Sequence, residues 1–177
     1  MKRCISLLAF SLVCLLAQSQ SWTEIWQNHH VLQVNRMPAR ANYTPYENQM
    51  GDRSMSLNGT WKFHWVPTSQ ERPQDFYRTD FDDAAWVDFP VPANWEVNGY
   101  GTPIYVSAGF PFKIDPPYVE GQPKKGYTTE IERNPTGSYR RYFSLPQAWD
   151  GKRIFLRFDG VQSAFFVWIN GQMAGYS

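Results

Sequence analysis

The sequence predicts an all-β fold, an antiparallel β-sandwich of jelly-roll type. Three observations carry that expectation. Thr60–Val66 alternates Trp61, Phe63 and Trp65 with Lys62 and His64, the period of a strand with one buried face. Asn170-Gly171 follows the apolar run Ser163–Ile169, and Asn-Gly is the strongest two-residue hairpin signal because both turn positions need φ > 0. Elsewhere short strand-like runs are punctuated by turn residues, with almost no helical periodicity and no internal repeat, which is the layout of an antiparallel sandwich.

The chain begins with a targeting signal. Lys2 and Arg3 precede the apolar run Cys4–Leu16, which is too short to span a bilayer comfortably. Ala17-Gln18-Ser19 is a small-x-small cleavage site, so residues 1–19 read as a signal peptide and the mature chain starts near Gln20. A lipoprotein signal acylated at Cys14 is the rival reading, and Ser11-Leu12-Val13 fits that pattern poorly. This leader implies a periplasmic or secreted protein. Both cysteines lie inside it, so the exported chain has no disulfide or thiolate metal site.

Residues 20–52 read as an N-terminal arm. Ser21–Trp26 has the capping-box spacing of a short helical turn, with Ser21 as N-cap and Glu24 three residues on. His29-His30 follows as a solvated turn, since adjacent residues do not converge on one metal and no third ligand is near in sequence. Met37–Asp52 is polar and holds Pro38, Pro45 and Gly51, so an extended segment lying over the domain is expected. Asn42 and Asn58 open glycosylation sequons, which a bacterial-looking leader makes irrelevant.

Residues 53–177 form the expected sandwich domain. After Thr60–Val66, with His64 on its polar surface side, Asp82-Asp83 reads as a turn in which side chains bond back to the local backbone. Trp86–Phe89 is a short strand ending at Pro90. Eight of the thirteen prolines then fall between Pro90 and Pro135, marking a long loop of the kind that is usually functional or disordered. Trp95, Tyr100, Tyr105 and Phe110 lie in that loop off any regular face. Their rings suit either the C–H faces of a sugar or anchorage of the loop to the core. Gly137–Leu145 returns to strand, with Tyr139, Phe143 and Leu145 sharing a face with Arg141, and Arg140 and Tyr142 on the other. Arg153–Phe158 is a further strand with Ile154, Leu156 and Phe158 inward. In the closing hairpin, Ala164, Phe166 and Trp168 point one way and Phe165, Val167 and Ile169 the other. A strand apolar on both faces wants a cover on each, and no neighbour for the hairpin's far side is evident in the sequence. Five or six strands can be counted against about eight in a jelly roll, so the sandwich is expected to be incomplete at its C-terminus.

Composition narrows the class. The 177 residues suffice for one domain with one core. Aromatics make up 17% of them, and eight residues are Trp, a content that serves a sandwich core or a sugar-facing surface. The net charge is +1, and loss of the leader lowers it to −1, so neither nucleic acid nor a membrane is an indicated partner.

The closing stretch F-D-G-V-x-S-A-F-x-x-W-x-N-G-x-x-x-G-Y (158–176) resembles the N-terminal sugar-binding domain of glycoside hydrolase family 2, in particular that of bacterial β-galactosidases. Four further pieces resemble it in the same order: Trp26–Arg36, Ser56–Trp65, Val91–Tyr105 and Asn134–Tyr139. The resemblance implies a galactoside-hydrolysing enzyme whose two catalytic glutamates belong to a downstream (β/α)₈ barrel. Asp115, Glu120, Glu130 and Glu132 match no family catalytic motif, so no catalytic residue is expected in this chain and it should be inactive alone. The resemblance also implies magnesium and sodium bound mostly outside this chain, and the remaining domains of the same enzyme as partner beside a β-galactoside or related glycan. The loop then borders the substrate pocket through Trp95, Tyr100, Tyr105 and above all Ser107. Ser107 stands where lactose-cleaving members carry an Asn that touches galactose, and its shorter side chain lacks the amide donor. That departure leaves room for a different β-linked or decorated galactoside. A free-standing carbohydrate-binding module is the alternative of another class.

Overall fold

The computed structural model describes residues 25–38, 53–103 and 134–177. Among these, the named elements are five strands and three single turns of 3₁₀ helix at Ser69–Glu71, Glu96–Asn98 and Gln147–Trp149. The strands are β1 (Gly59–Val66), β2 (Val87–Val91), β3 (Thr136–Arg140), β4 (Phe166–Ile169) and β5 (Gln172–Tyr176). They form an antiparallel three-stranded sheet in the order β2-β1-β3 and a separate β4-β5 hairpin. The fold is all-β, as the periodicity requires. Among the described residues no helix is long and apolar enough to cross a membrane.

The alternation in β1 places Phe63 at the centre of one sheet face. Phe63 is 1% exposed and Phe89, on the adjacent strand, 2%. Four rings meet Phe63: Phe89 at 4.5 Å, Tyr139 at 4.6 Å, Tyr100 edge-on at 5.1 Å and Trp95 near-parallel at 6.4 Å. Offset and edge-on pairs at these spacings are the favoured aromatic geometries.

The opposite face is also covered, which corrects the expectation for His64. His64 is half-buried and stacks on Trp86 at 5.4 Å, because the segment between β1 and β2 folds back over it. Trp86 in turn packs against Phe76 and Phe81. Arg140 of β3 fastens this cover. Its Nε donates to Asp83 Oδ2 at 2.8 Å, its Nη1 to the carbonyls of Phe76 and Arg78, and its Nη2 to the Tyr142 hydroxyl. The ion pair is largely withdrawn from water, with side chains 10% and 16% exposed. Burial acts to lower the Arg140 pKa, but the bonds to Asp83 and Tyr142 outweigh it and the group stays firmly charged. Asp82 behaves as the turn residue expected, accepting from the Ala84 amide at 3.0 Å.

The hairpin forms at the predicted turn, with Asn170 at φ 50° and Gly171 at φ 81°. Its strand starts at Phe166 rather than Ser163. Trp168 fixes the hairpin to the cover, meeting Phe76 at 5.2 Å and lying nearly parallel to Tyr77 at 5.6 Å. The neighbour that the sequence did not reveal comes from the arm. Val34 makes an antiparallel bridge to Tyr176, with amide–carbonyl distances of 2.9 and 3.0 Å.

Three strand expectations need correction. β2 runs on through Pro90 to Val91. It is an edge strand, where a residue without an N–H is tolerated. β3 stops at Arg140 instead of Leu145, leaving Phe143 and Leu145 40% and 46% exposed. Arg153–Phe158 is not a strand, and Ile154, Leu156 and Phe158 lie 43%, 40% and 46% exposed instead of inward. Its alternation is strand-like, but a strand exists only where a neighbour takes its backbone groups, and no ladder partner is present among the described residues.

The Arg140–Asp83 pair generates a stability prediction. Asp83→Asn leaves a buried guanidinium without its carboxylate and should destabilise the chain by about 3 kcal/mol, read as a drop in the urea unfolding midpoint. Replacing Asp83 and Arg140 together with apolar residues should cost less than the sum of the single losses.

Candidate functional site

The loop after β2 builds an aromatic shelf on the Phe63 face. A tight turn organises it: the Trp95 carbonyl accepts from the Asn98 amide at 2.9 Å and the Tyr100 amide at 3.1 Å, and Asn98 Nδ2 donates to the Asn94 carbonyl at 2.8 Å. Trp95 and Tyr100 therefore leave opposite ends of one turn and descend together on Phe63, both half-buried.

Their seat depends on Gly137 of β3. A Cβ placed there would lie 2.6 Å from the Trp95 ring and 2.8 Å from the Phe63 ring. Only a glycine lets the indole lie flush on the sheet. Trp65, on the same face, packs beside Gly101, and its indole Nε1 is buried without a hydrogen-bond partner.

Tyr139 and Glu96 give the shelf its polar margin. Burial first, and the nearby Glu96 charge second, raise the Tyr139 phenol to about 12. The phenol is thus neutral at any physiological pH. The shelf offers flat apolar rings, one neutral hydroxyl and one carboxylate, a set that can receive the C–H faces and hydroxyls of a sugar.

Of the four residues expected at the substrate, the structure brings Trp95 and Tyr100 together. Tyr105 and Ser107 lie outside the described residues. Gly137 and Tyr139 were not singled out for this shelf by sequence reasoning. Tyr139 was readable as an inward strand residue, whereas the tight approach at Gly137 has no local sequence signal. His29 and His30 sit exposed on a turn with their rings 3.8 Å apart. Among the described residues no three His, Cys, Asp or Glu side chains come together as a metal ion would need.

Comparison with known proteins is decisive on the family. Residues 54–177 match the model for "Glycosyl hydrolases family 2, sugar binding domain". The chain belongs to glycosyl hydrolase family 2. The matched family 2 domain contains all five strands and the aromatic shelf. Among its relatives, a "Beta-galactosidase" of Psychromonas ingrahamii is 36% identical over 159 residues, covering 86% of this chain and 14% of that protein. A "Beta-galactosidase" of Halalkalibacterium halodurans is 37% identical over 159 residues, or 84% and 15% of the two chains. A "Beta-galactosidase large subunit" of Lactobacillus helveticus is 35% identical over 167 residues, 85% and 26% respectively. The family 2 chain therefore spans between about a seventh and a quarter of the length of these relatives.

The shelf yields two predictions. Gly137→Ala should lift Trp95 off Phe63 and destabilise the domain by about 1–3 kcal/mol, with a change in tryptophan fluorescence marking the displaced indole. The raised Tyr139 pKa stabilises the fold while the phenol is neutral. That contribution is complete below the ordinary tyrosine value near 10 and is lost as pH rises from there to about 12. Thermal unfolding followed across this alkaline range should show the loss, and Tyr139→Phe should remove its share of the pH dependence.

Proposed function

We propose that this chain is the exported N-terminal sugar-binding portion of a β-galactosidase-like enzyme that hydrolyses terminal β-galactosides, and that it has no hydrolase activity alone. The observation that carries this reading is the run of 159 aligned residues shared with proteins named β-galactosidase. Hydrolysis with retention needs two carboxylates facing each other across the bond. Asp80, Asp83, Asp88 and Asp159 are instead held in ion pairs with Arg78, Arg140, Lys62 and Arg157. Glu71 bonds the Thr68 hydroxyl. The catalytic pair is assigned to the part of the relatives' length that this chain does not span.

Within this reading, Trp95 and Tyr100 form one wall of the pocket, Tyr105 continues it, and Ser107 contacts the galactoside in place of the family's Asn. The remaining domains of the same enzyme dock on the domain's apolar surface. Tyr142, Phe143, Leu145, Ile154, Phe155 and Leu156 are 40–69% exposed, an apolar band of the sort that covers a contact. The leader sends the protein to the periplasm or beyond, with magnesium and sodium held mainly by the remaining domains.

The test uses the purified chain. It should release no nitrophenol from nitrophenyl β-galactoside, while NMR titration with galactose and lactose should shift the Trp95 and Tyr100 signals. Hydrolysis by the chain alone would overturn the assignment of the carboxylates elsewhere. Absence of any sugar-induced shift would overturn the shelf as a pocket wall. N-terminal sequencing of the exported product should begin near Gln20.

A further inference from the structure

We propose that the aromatic shelf takes a sugar bearing a free amine, and that Glu96 selects it by pairing its carboxylate with the ammonium group of the ligand. Resting on the sugar-binding reading of the shelf, this assignment names the substrate class of the same site.

The starting point is a carboxylate without a counter-charge. Among the described residues two acidic side chains are half-buried, Asp83 and Glu96, and the others are exposed. Asp83 is held by Arg140 at 2.8 Å. The Glu96 carboxylate makes no hydrogen bond or ion pair with any described residue. Withdrawing a charge from water is costly unless it is paired. On the Arg140 face the chain supplies the pairing group itself. At Glu96 that group is left for a ligand to bring.

The local fold turns Glu96 toward the shelf. It opens the 3₁₀ turn Glu96–Asn98, directly after Trp95. Val97 is 82% exposed, and Asn98 and Gly99 are exposed as well, so the apex of the turn faces solvent while Glu96 stays partly covered. The Glu96 carbonyl accepts from the Gly99 amide at 3.3 Å, which fixes the backbone there. Its charge also bears on the Tyr139 phenol, and Tyr139 packs on Phe63. The carboxylate thus stands at the Tyr139 margin of the ring cluster.

These surroundings suit an ammonium group. Cations are drawn to aromatic faces and to carboxylates, and the half-buried Trp95 and Tyr100 rings flank Glu96 in sequence and converge on Phe63. The neutral Tyr139 hydroxyl can accept a further N–H. Nearby cations of the chain are engaged elsewhere: Arg140 with Asp83, Arg141 with the Leu57 and Asn58 carbonyls, and Lys62 with Asp88. A plain galactoside offers Glu96 only hydroxyl donors. A bond charged on both sides is stronger, so the amine decides between the two sugars.

The experiment titrates the purified chain by NMR with three ligands of one shape: methyl β-galactoside, methyl β-galactosaminide and the N-acetylated form of the latter. Mildly acidic buffer keeps the free amine protonated. The galactosaminide should bind at least about fivefold more tightly than the galactoside. The N-acetyl form should lose that gain, because it keeps the nitrogen and discards the charge. Added salt should shrink the preference. In Glu96→Gln the galactoside and the galactosaminide should bind equally. Equal binding of these two by the wild type overturns the proposal and leaves the sugar-binding reading standing, with the counter-charge of Glu96 then coming from a Lys or Arg of the remaining domains. A preference that survives Glu96→Gln overturns it too. Binding of none of the three overturns both the role of Glu96 and the shelf as a pocket wall.

Discussion

The arrangement of the described domain hangs on the Arg140 guanidinium. It is planar, always charged and able to donate in several directions at once. β3 carries it on the face opposite Phe63, where it gathers the Asp83 carboxylate, two backbone carbonyls and the Tyr142 hydroxyl. Withdrawing such a charge from water is costly unless it is paired and hydrogen-bonded, and here a carboxylate and three neutral acceptors take four of its five N–H donors. The consequence travels outward. The segment Arg140 holds presents Phe76 and Tyr77, these receive Trp168, and Trp168 positions the hairpin. A single charged residue thus couples the three-stranded sheet to a hairpin with which it shares no ladder.

The two faces of the central sheet solve different problems. The Phe63 face is closed by rings alone, and its tightness comes from the missing Cβ at Gly137. The Arg140 face is closed by a loop, whose backbone polar groups need partners inside the protein. That difference explains why the charges cluster on one side and the aromatic shelf on the other. It also explains how 17% aromatic residues serve packing and surface together: Trp95 and Tyr100 each spend one part of the ring on Phe63 and remain half-buried.

Legibility in the sequence followed the range of the interaction. β1 and the Asn170-Gly171 turn were readable because alternation and positive φ are local properties. Trp95 and Tyr100 could be named but not placed, since their anchorage depends on Gly137, some forty positions away. Arg153–Phe158 misled for the same reason in reverse. Its period is that of a strand, yet pairing is non-local and no partner meets it among the described residues. His64 looked like a surface residue because nothing in its own strand announces the loop that Arg140 pulls over it. Val34 carried no strand signal at all, its extended state being imposed by the Tyr176 edge.

Edges are where these non-local choices become visible. A sheet edge with free amides and carbonyls attracts other chains, and stable proteins blunt it. β2 does so with Pro90, which removes a donor, and with the Lys62–Asp88 ion pair across the ladder. β3 ends early at paired arginines, and Arg141 turns its guanidinium onto the Leu57 and Asn58 carbonyls at 2.9 and 3.1 Å. β5 has neither proline nor charge along its length. It carries instead a bulge, a glycine and a single bridge to Val34, far away in the sequence. A proline or a lysine would have closed that edge with one residue and no partner. The geometry around Ala174 and Gly175 is the opposite solution: the missing Cβ at Gly175 admits the Val34 carbonyl, and Asn35 Nδ2 takes the Ala174 carbonyl, so the chain's own residues cap the edge.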